Sequence, residues 1–159
     1  MIKITLIAMG KLKENFLREA AAEYKKRLSR YCSLEVVEID PVKLSEKPSL
    51  QEVNTALEKE AGLILKKIPQ NSEVITLCVE GKEFSSEDFA QKINTNTANG
   101  KNITFIIGSS YGLSESIKKL SSIKLSISKM TFPHQLFRVM LLEQIYRALN
   151  INEGSTYHK

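Results

Sequence analysis

The sequence is poor in the residues from which metal centres and disulfide frameworks are built. It holds two cysteines and two histidines in 159 residues. Cys32 and Cys78 lie far apart, and neither His134 nor His158 falls near them. No metal-ligand spacing can be drawn through such a set, so no metal is expected. The two thiols are expected to be buried and reduced, as in a cytosolic protein. No apolar run approaches the roughly 18 residues that a membrane span needs, so no membrane partner is expected. The opening M-I-K-I-T-L-I-A-M-G is followed by K-L-K-E-N-F and not by a small-residue cleavage site. It therefore reads as a strand of a cytoplasmic protein and not as a leader. Linkers, internal repeats and low-complexity tracts are also missing, and the length suits one domain over residues 1–159.

Acidic residues are scarce in one part of the chain. Residues 1–99 carry 15 Lys/Arg against 15 Asp/Glu, whereas residues 100–159 carry 8 against 3, so the whole net charge of +5 sits in the C-terminal part. Such a bias suits an anionic partner such as nucleic acid. A mild surplus of surface lysine is the plainer reading, and charge alone does not choose between them.

The common catalytic signatures are absent. There is no Gly-Lys-Ser/Thr phosphate loop, no G-x-G-x-x-G, no G-x-S-x-G elbow and no paired-carboxylate motif. An enzyme with this inventory would work mainly by positioning its reactants. Methyl transfer from a sulfonium donor fits, because such a donor is already strongly electrophilic.

The patterning that remains is regular. Residues 2–9 read as a buried strand ended by Gly10, 13–30 as a helix with a stripe through Leu17, Ala20, Ala21, Tyr24 and Leu28, and 33–39 as a second strand. A proline-bearing loop over 41–49 leads to a helix over 50–67, through Val53, Leu57, Ala61, Ile64 and Leu65. Residues 73–79 are a near-continuous apolar strand, the pattern of a parallel sheet covered on both faces. Glu80-Gly81-Lys82 then reads as a turn. A helix follows, capped by Ser85 or Ser86 with Glu87 and Asp88 in its first turn, and it ends near Asn99-Gly100. Residues 103–107 are a fourth strand, 114–120 a short helix and 123–127 a fifth strand. A long helix enters at Pro133 and is apolar on most of its faces, which predicts burial against both its own sheet and a second copy of the chain. Alternating strands and helices imply an α/β fold, a mostly parallel sheet with helices on both faces. Ligands of such sheets bind beyond the C-terminal strand ends. Three of those ends carry suggestive residues: Glu80-Gly81-Lys82, Gly108-Ser109-Ser110-Tyr111-Gly112 and Ser128-Lys129-Met130-Thr131-Phe132.

Several stretches in this order resemble the ribosomal large-subunit RNA methyltransferase H family of the SPOUT superfamily. They are K-I-T-L-I-A-M-G-K-L-K, V-I-T-L followed by x-x-x-G-K, I-I-G-S-S-Y-G-L, S-K-M-T-F-P-H-Q, R-V, E-Q-I-Y-R-A and the terminal Y-H-K. The resemblance spans the chain. It implies N3-methylation of a pseudouridine in 23S ribosomal RNA with S-adenosyl-L-methionine as donor, a homodimer, and a C-terminal trefoil knot. It assigns cofactor binding to Leu77, Gly108, Ile127, Ser128, Lys129, Met130, Thr131 and Phe132. Family members carry a second glycine where this chain has Ser109, so a positive φ there would strain the loop. His134 and Arg138, four apart on one helix face, suit RNA phosphate, the partner subunit or helix packing, and Lys129 suits either phosphate or a backbone role. The tail Tyr157-His158-Lys159 combines an aromatic, an imidazole and a cation, the types that stack on bases and pair with phosphates. With the resemblance, Tyr157 and His158 become the catalytic candidates, His158 as proton acceptor, and Lys159 an RNA contact. The substrate would be the assembled ribosome, since one subunit offers little surface for free RNA. A SPOUT enzyme acting on transfer RNA, or a non-catalytic RNA-binding module associated with the ribosome, are the alternatives.

Overall fold

A computed structural model describes residues 1–158. Five strands form one sheet: β1 (Ile2–Met9), β2 (Cys32–Ile39), β3 (Ser72–Glu83), β4 (Asn102–Ile107) and β5 (Ile123–Ser126). They alternate with α1 (Asn15–Leu28), α2 (Leu50–Leu65), α3 (Ser86–Ala98), α4 (Glu115–Leu120) and α5 (His134–Asn152). The spatial order is β2-β1-β4-β3-β5, and every pairing is parallel.

A parallel sheet must be covered on both faces, and the apolar residues divide accordingly. Ile4, Leu6, Ile103, Phe105 and Ile107 form one core with Leu28 of α1, Ile93 of α3, and Leu141, Leu142 and Ile145 of α5. Ile7, Met9, Ile106 and Val74 form the other with Ala61 and Ile64 of α2 and Ile117 of α4. Cys32 and Cys78 are buried and unpaired. Burial alone pushes the Cys32 thiol up to about 11, so it stays protonated at neutral pH.

Local chemistry sets the helix starts. Ser49, Ser85 and Ser114 each accept a hydrogen bond from a backbone N–H three residues on, at Glu52, Asp88 and Ile117. Pro133 precedes α5 as its cap with extended ψ, so the helix proper begins at His134. α5 lies between α1 and α3 over the first core. Its Leu136, Phe137, Val139 and Met140 are only half-buried.

Two expectations are corrected. Glu80-Gly81-Lys82 is not a turn: β3 runs on to Glu83, with a bulge where both Leu77 and Lys82 pair with Leu125 of β5. A β-carbon on Gly81 would lie 2.4 Å from the Lys124 carbonyl oxygen, so the strand passes there only as glycine. The apolar stripe of α2 is also rotated. Its buried residues are Ala56, Glu60, Ala61 and Ile64, whereas Leu65 is half exposed.

Candidate functional site

The handedness of the connections decides where cavities open. β1 is followed by α1 and β3 by α3, both on the first core; β4 is followed by α4, on the second. The chain leaving β4 therefore turns away from the chains leaving both of its sheet neighbours. A crevice forms at the carboxyl end of a sheet wherever adjacent connections diverge in this way. Here there are two, one on each side of the loop after β4.

The first crevice, about 620 Å³, opens between the ends of β3, β4 and β5. Leu77, Ile107, Leu125, Ile127, Phe132 and Phe137 give it apolar walls, with Phe132 and Phe137 edge to face at 5.5 Å. Serine, threonine and loop backbone groups face these walls and supply polar partners for a ligand. Its floor is the turn after β4, where Gly112 donates from its backbone N–H to the Ser109 carbonyl at 2.8 Å. Gly112 takes φ +85°, and a β-carbon on Gly108 would meet the Gly112 carbonyl oxygen at 2.4 Å. Ser109 itself does not have positive φ, so serine sits there without the strain that a left-handed position would impose. The loop after β5 is held by its own side chains. Ser126 Oγ donates to the Ser128 carbonyl, and Ser128 Oγ accepts from the Met130 N–H, both at 3.0 Å.

Charge at this crevice is balanced. Lys118 Nζ lies 2.6 Å from Glu80 Oε1, and that contact holds the carboxyl below its usual range and the ammonium above its own. With its lysine neutralised, the crevice does not repel a cationic ligand. Flat apolar walls, exposed loop backbone and this balance fit S-adenosylmethionine, which has an aromatic base, a polar ribose and a positive sulfur.

Of the expected cofactor residues, Leu77, Gly108, Ile127, Ser128, Thr131 and Phe132 line one cavity. Lys129 and Met130 lie outside that lining and point to solvent, Met130 being 72% exposed. Sequence reasoning passed over Phe137 and the Glu80–Lys118 pair. No local signal links Lys118 to Glu80, which meet only through the sheet.

The second crevice, about 580 Å³, opens on the other side of the β4 loop. Met9, Gly10, Asp40, Val42 and Leu44 line it, and it shares Ser109, Ser110, Tyr111 and His134 with the first. His134 is thus part of a common wall. Burial, helped by the charges of Arg138 and Lys13, pushes its pKa down and favours neutral imidazole. Glu60 of α2 lines the same crevice and is only 4% exposed. Ala56, Glu60 and Ile64 recur at helical spacing, a carboxylate in register with an apolar stripe, and that was the signal available in the sequence.

Arg138 does not join either site. It is 4% exposed, donates to Glu38 Oε2 at 2.5 Å and to the Gly10 carbonyl at 2.8 Å, and so ties α5 to the ends of β1 and β2. Its guanidinium is spent inside the fold, which corrects the expectation of a phosphate contact.

The tail is also away from both crevices within its own chain. Tyr157 packs edge to face on Tyr146 at 4.8 Å, its ring sits under the Arg147 guanidinium, and its hydroxyl donates to Glu143 at 3.2 Å. Burial and the Glu143 charge push the phenol up. His158 lies 2.8 Å from Glu87 through Nε2 and 3.2 Å from Arg147 through Nδ1. Arginine only donates, so Nδ1 accepts and the ring proton sits on Nε2 facing Glu87. Both ring nitrogens are thus engaged in contacts within the chain. Lys159 lies outside the described residues.

A parallel α/β sheet with a cofactor-sized crevice at its carboxyl edge is a frame on which group-transfer enzymes are built. Residues 2–158 match the family model described as "Predicted SPOUT methyltransferase". The chain is 51% identical to the ribosomal RNA large subunit methyltransferase H of Clostridium botulinum (strain Okra / Type B1), and 50% to the protein of that name in Clostridium perfringens (strain 13 / Type A). Each alignment covers 99% of this chain and 100% of the relative. The chain belongs to the SPOUT methyltransferases and, within them, to the ribosomal RNA large subunit methyltransferase H family. Among solved structures it is similar to the SpoU methyltransferase AviRb of Streptomyces viridochromogenes in complex with AdoMet, at 13% identity and a TM-score of 0.47, over 95% of this chain and 58% of that one.

Proposed function

We propose that this chain transfers a methyl group from S-adenosylmethionine to N3 of a pseudouridine in 23S ribosomal RNA, acting as a cytoplasmic homodimer on the assembled ribosome. The observation that carries this reading is the first crevice, where six of the cofactor residues implied by the family resemblance converge from three strand ends. The names of the full-length relatives support the substrate class. Leu77, Gly108, Ile127, Ser128, Thr131 and Phe132 would hold the donor, the apolar side chains as walls and the loop backbone as polar partners. When bound, the donor supplies a methyl group on a positively charged sulfur.

The chain's own task is alignment and removal of the imide proton. His158 is the proton acceptor in this reading and Tyr157 its neighbour in the site. The docked tail engages both imidazole nitrogens, so the tail acts after leaving that position, reaching the crevice of a second copy. Lys129, exposed beside the crevice, contacts RNA phosphate, together with Lys159. His134, kept neutral in the shared wall, is better suited to the edge of a base than to a phosphate. The reading includes a trefoil knot. That part rests on the family resemblance.

Calorimetry with S-adenosylmethionine and mass mapping of ribosomal nucleosides from a deletion strain test the proposal together. One-to-one binding per chain and loss of a methylated pseudouridine from 23S RNA are expected. Absence of donor binding favours the non-catalytic module, and loss of a transfer-RNA modification instead overturns the substrate.

A further inference from the structure

The second crevice has no part in holding the donor, yet it contains the most conspicuous unsatisfied group in the fold. Glu60 Oε2 accepts the Val42 N–H at 3.0 Å, while Glu60 Oε1 is buried with no hydrogen-bond partner. A buried carboxylate oxygen left unpaired is costly, and folds retain such a group where a ligand or water completes it. Three further features bear on what that ligand is. The crevice shares the Ser109–Tyr111 turn and His134 with the donor crevice, so the two adjoin and an occupant at their common edge lies beside the donor. Lys11 and Lys13 stand exposed at its rim, and neither forms an ion pair among the described residues. Tyr111, 49% exposed, adds an aromatic face. A buried acceptor, an aromatic and two free cations are the complement of one extruded nucleotide: a base edge that donates, a ring that stacks, and a phosphate.

We infer that the second crevice holds the acceptor pseudouridine and that Glu60 Oε1 accepts its N1–H, the group that distinguishes pseudouridine from uridine. This rests on the function proposed above. Pseudouridine carries two N–H groups flanking one carbonyl, the amide-type N1–H and the imide N3–H, whereas uridine in RNA has its N1 bonded to ribose. With N1–H on Glu60, N3 is left for the side of the ring facing the shared wall and the donor. A uridine in the same place leaves the carboxylate oxygen unpaired and pushes a carbon–hydrogen edge against it. Sites built to hydrogen-bond a substrate N–H reject the analogue that lacks it far more strongly than apolar pockets reject a change of size. Glu60 is thus a specificity-determining residue, and the proton lost in methylation is the one on N3.

The test uses the full chain with ribosomal particles carrying either pseudouridine or uridine at the target position. In Glu60→Gln the amide oxygen keeps the Val42 N–H, which turns an NH₂ toward N1–H where Oε1 stood. The expected result is a fall of at least tenfold in the ratio of kcat/KM for pseudouridine over uridine, mostly through pseudouridine, with calorimetric affinity for S-adenosylhomocysteine unchanged within twofold. An unchanged ratio overturns the inference, and so does a weakened S-adenosylhomocysteine affinity, which would assign Glu60 to the donor. A second variant guards against misfolding of the first. Lys11→Ala/Lys13→Ala alters only exposed side chains, and it is expected to raise KM for the particles at least fivefold, with kcat unchanged and a shallower salt dependence. An unaltered KM there removes the phosphate side of the site. If the wild-type chain neither binds donor nor methylates, the parent reading fails. If it does both and the Glu60 variant keeps its discrimination, only this inference fails.

Discussion

At the scale of single residues, the fold uses few polar groups inside and gives most of them a partner. Arg138 is one; His134 instead sits half-buried between two crevices with cations beside it. Its pKa is depressed in the folded state, so the unfolded chain binds a proton more readily. Stability therefore rises with pH through the window just below the ordinary histidine value of about 6.5 and is flat above it. Acidification through that window works against the fold because the imidazole must charge beside Arg138 and Lys13. Replacing His134 by glutamine removes this contribution. The difference in melting temperature between pH 7.5 and pH 5.5 is expected to shrink in His134→Gln, measured by thermal scans of both proteins in the same buffers. Equal differences would mean that the imidazole protonates without cost. The same residue marks how far reading the sequence goes. Its place at the start of the last helix was legible from Pro133, but its burial depends on the 11–13 segment and the β4 loop, which meet it only in three dimensions. Arg138 was misread for that reason: four residues from His134 on one face, it is claimed by Glu38, a hundred positions away.

At the scale of elements, periodicity and capping residues located every strand and helix to within a few positions. What they missed was pairing. Glycine among charged residues reads locally as a turn, yet Gly81 lies within β3 because β5 must pass close to it. Two glycines with opposite surroundings test this. A β-carbon on Gly81 meets the Lys124 carbonyl oxygen at 2.4 Å and its carbon at 2.7 Å, both backbone atoms that cannot rotate away. Gly81→Ala is expected to cost about 2 kcal/mol or more, as overpacking against fixed atoms does. Gly62 sits in α2, and a β-carbon added to it would find nothing within 4 Å, so Gly62→Ala is expected to stabilise by about 0.5–1 kcal/mol through helix propensity. Urea midpoints at a common slope measure both. A neutral Gly81→Ala would show that β5 can shift without loss, and the bulge would then not be fixed by the close approach of the two backbones.

At the scale of the molecule, the strand order β2-β1-β4-β3-β5 could not be read from the sequence, since hydrophobic runs carry no information on neighbours. That order nevertheless creates both crevices, by sending the connection after β4 to the opposite face from its neighbours. It also leaves the tail on the α3–α5 side, apart from the crevices its own chain builds. In the proposed dimer, each site joins the crevice of one 17.9 kDa chain with the tail of the other. Complementation distinguishes this from a tail that folds back onto its own chain. His158→Ala damages only the tail, and Thr131→Trp fills the donor crevice from an exposed position on its wall, which loss of calorimetric donor binding verifies. Each variant alone is expected to be inactive. A mixed dimer of the two contains one damaged site and one whole site, the intact crevice of the first chain with the intact tail of the second. Random assembly makes half the dimers mixed, so co-expression is expected to restore about a quarter of wild-type methylation per chain. If each tail served its own crevice, every site in the mixture would carry one lesion. No activity would return at any ratio of the two chains, and the docked contacts of His158 with Glu87 and Arg147 would then have to open toward the near crevice instead.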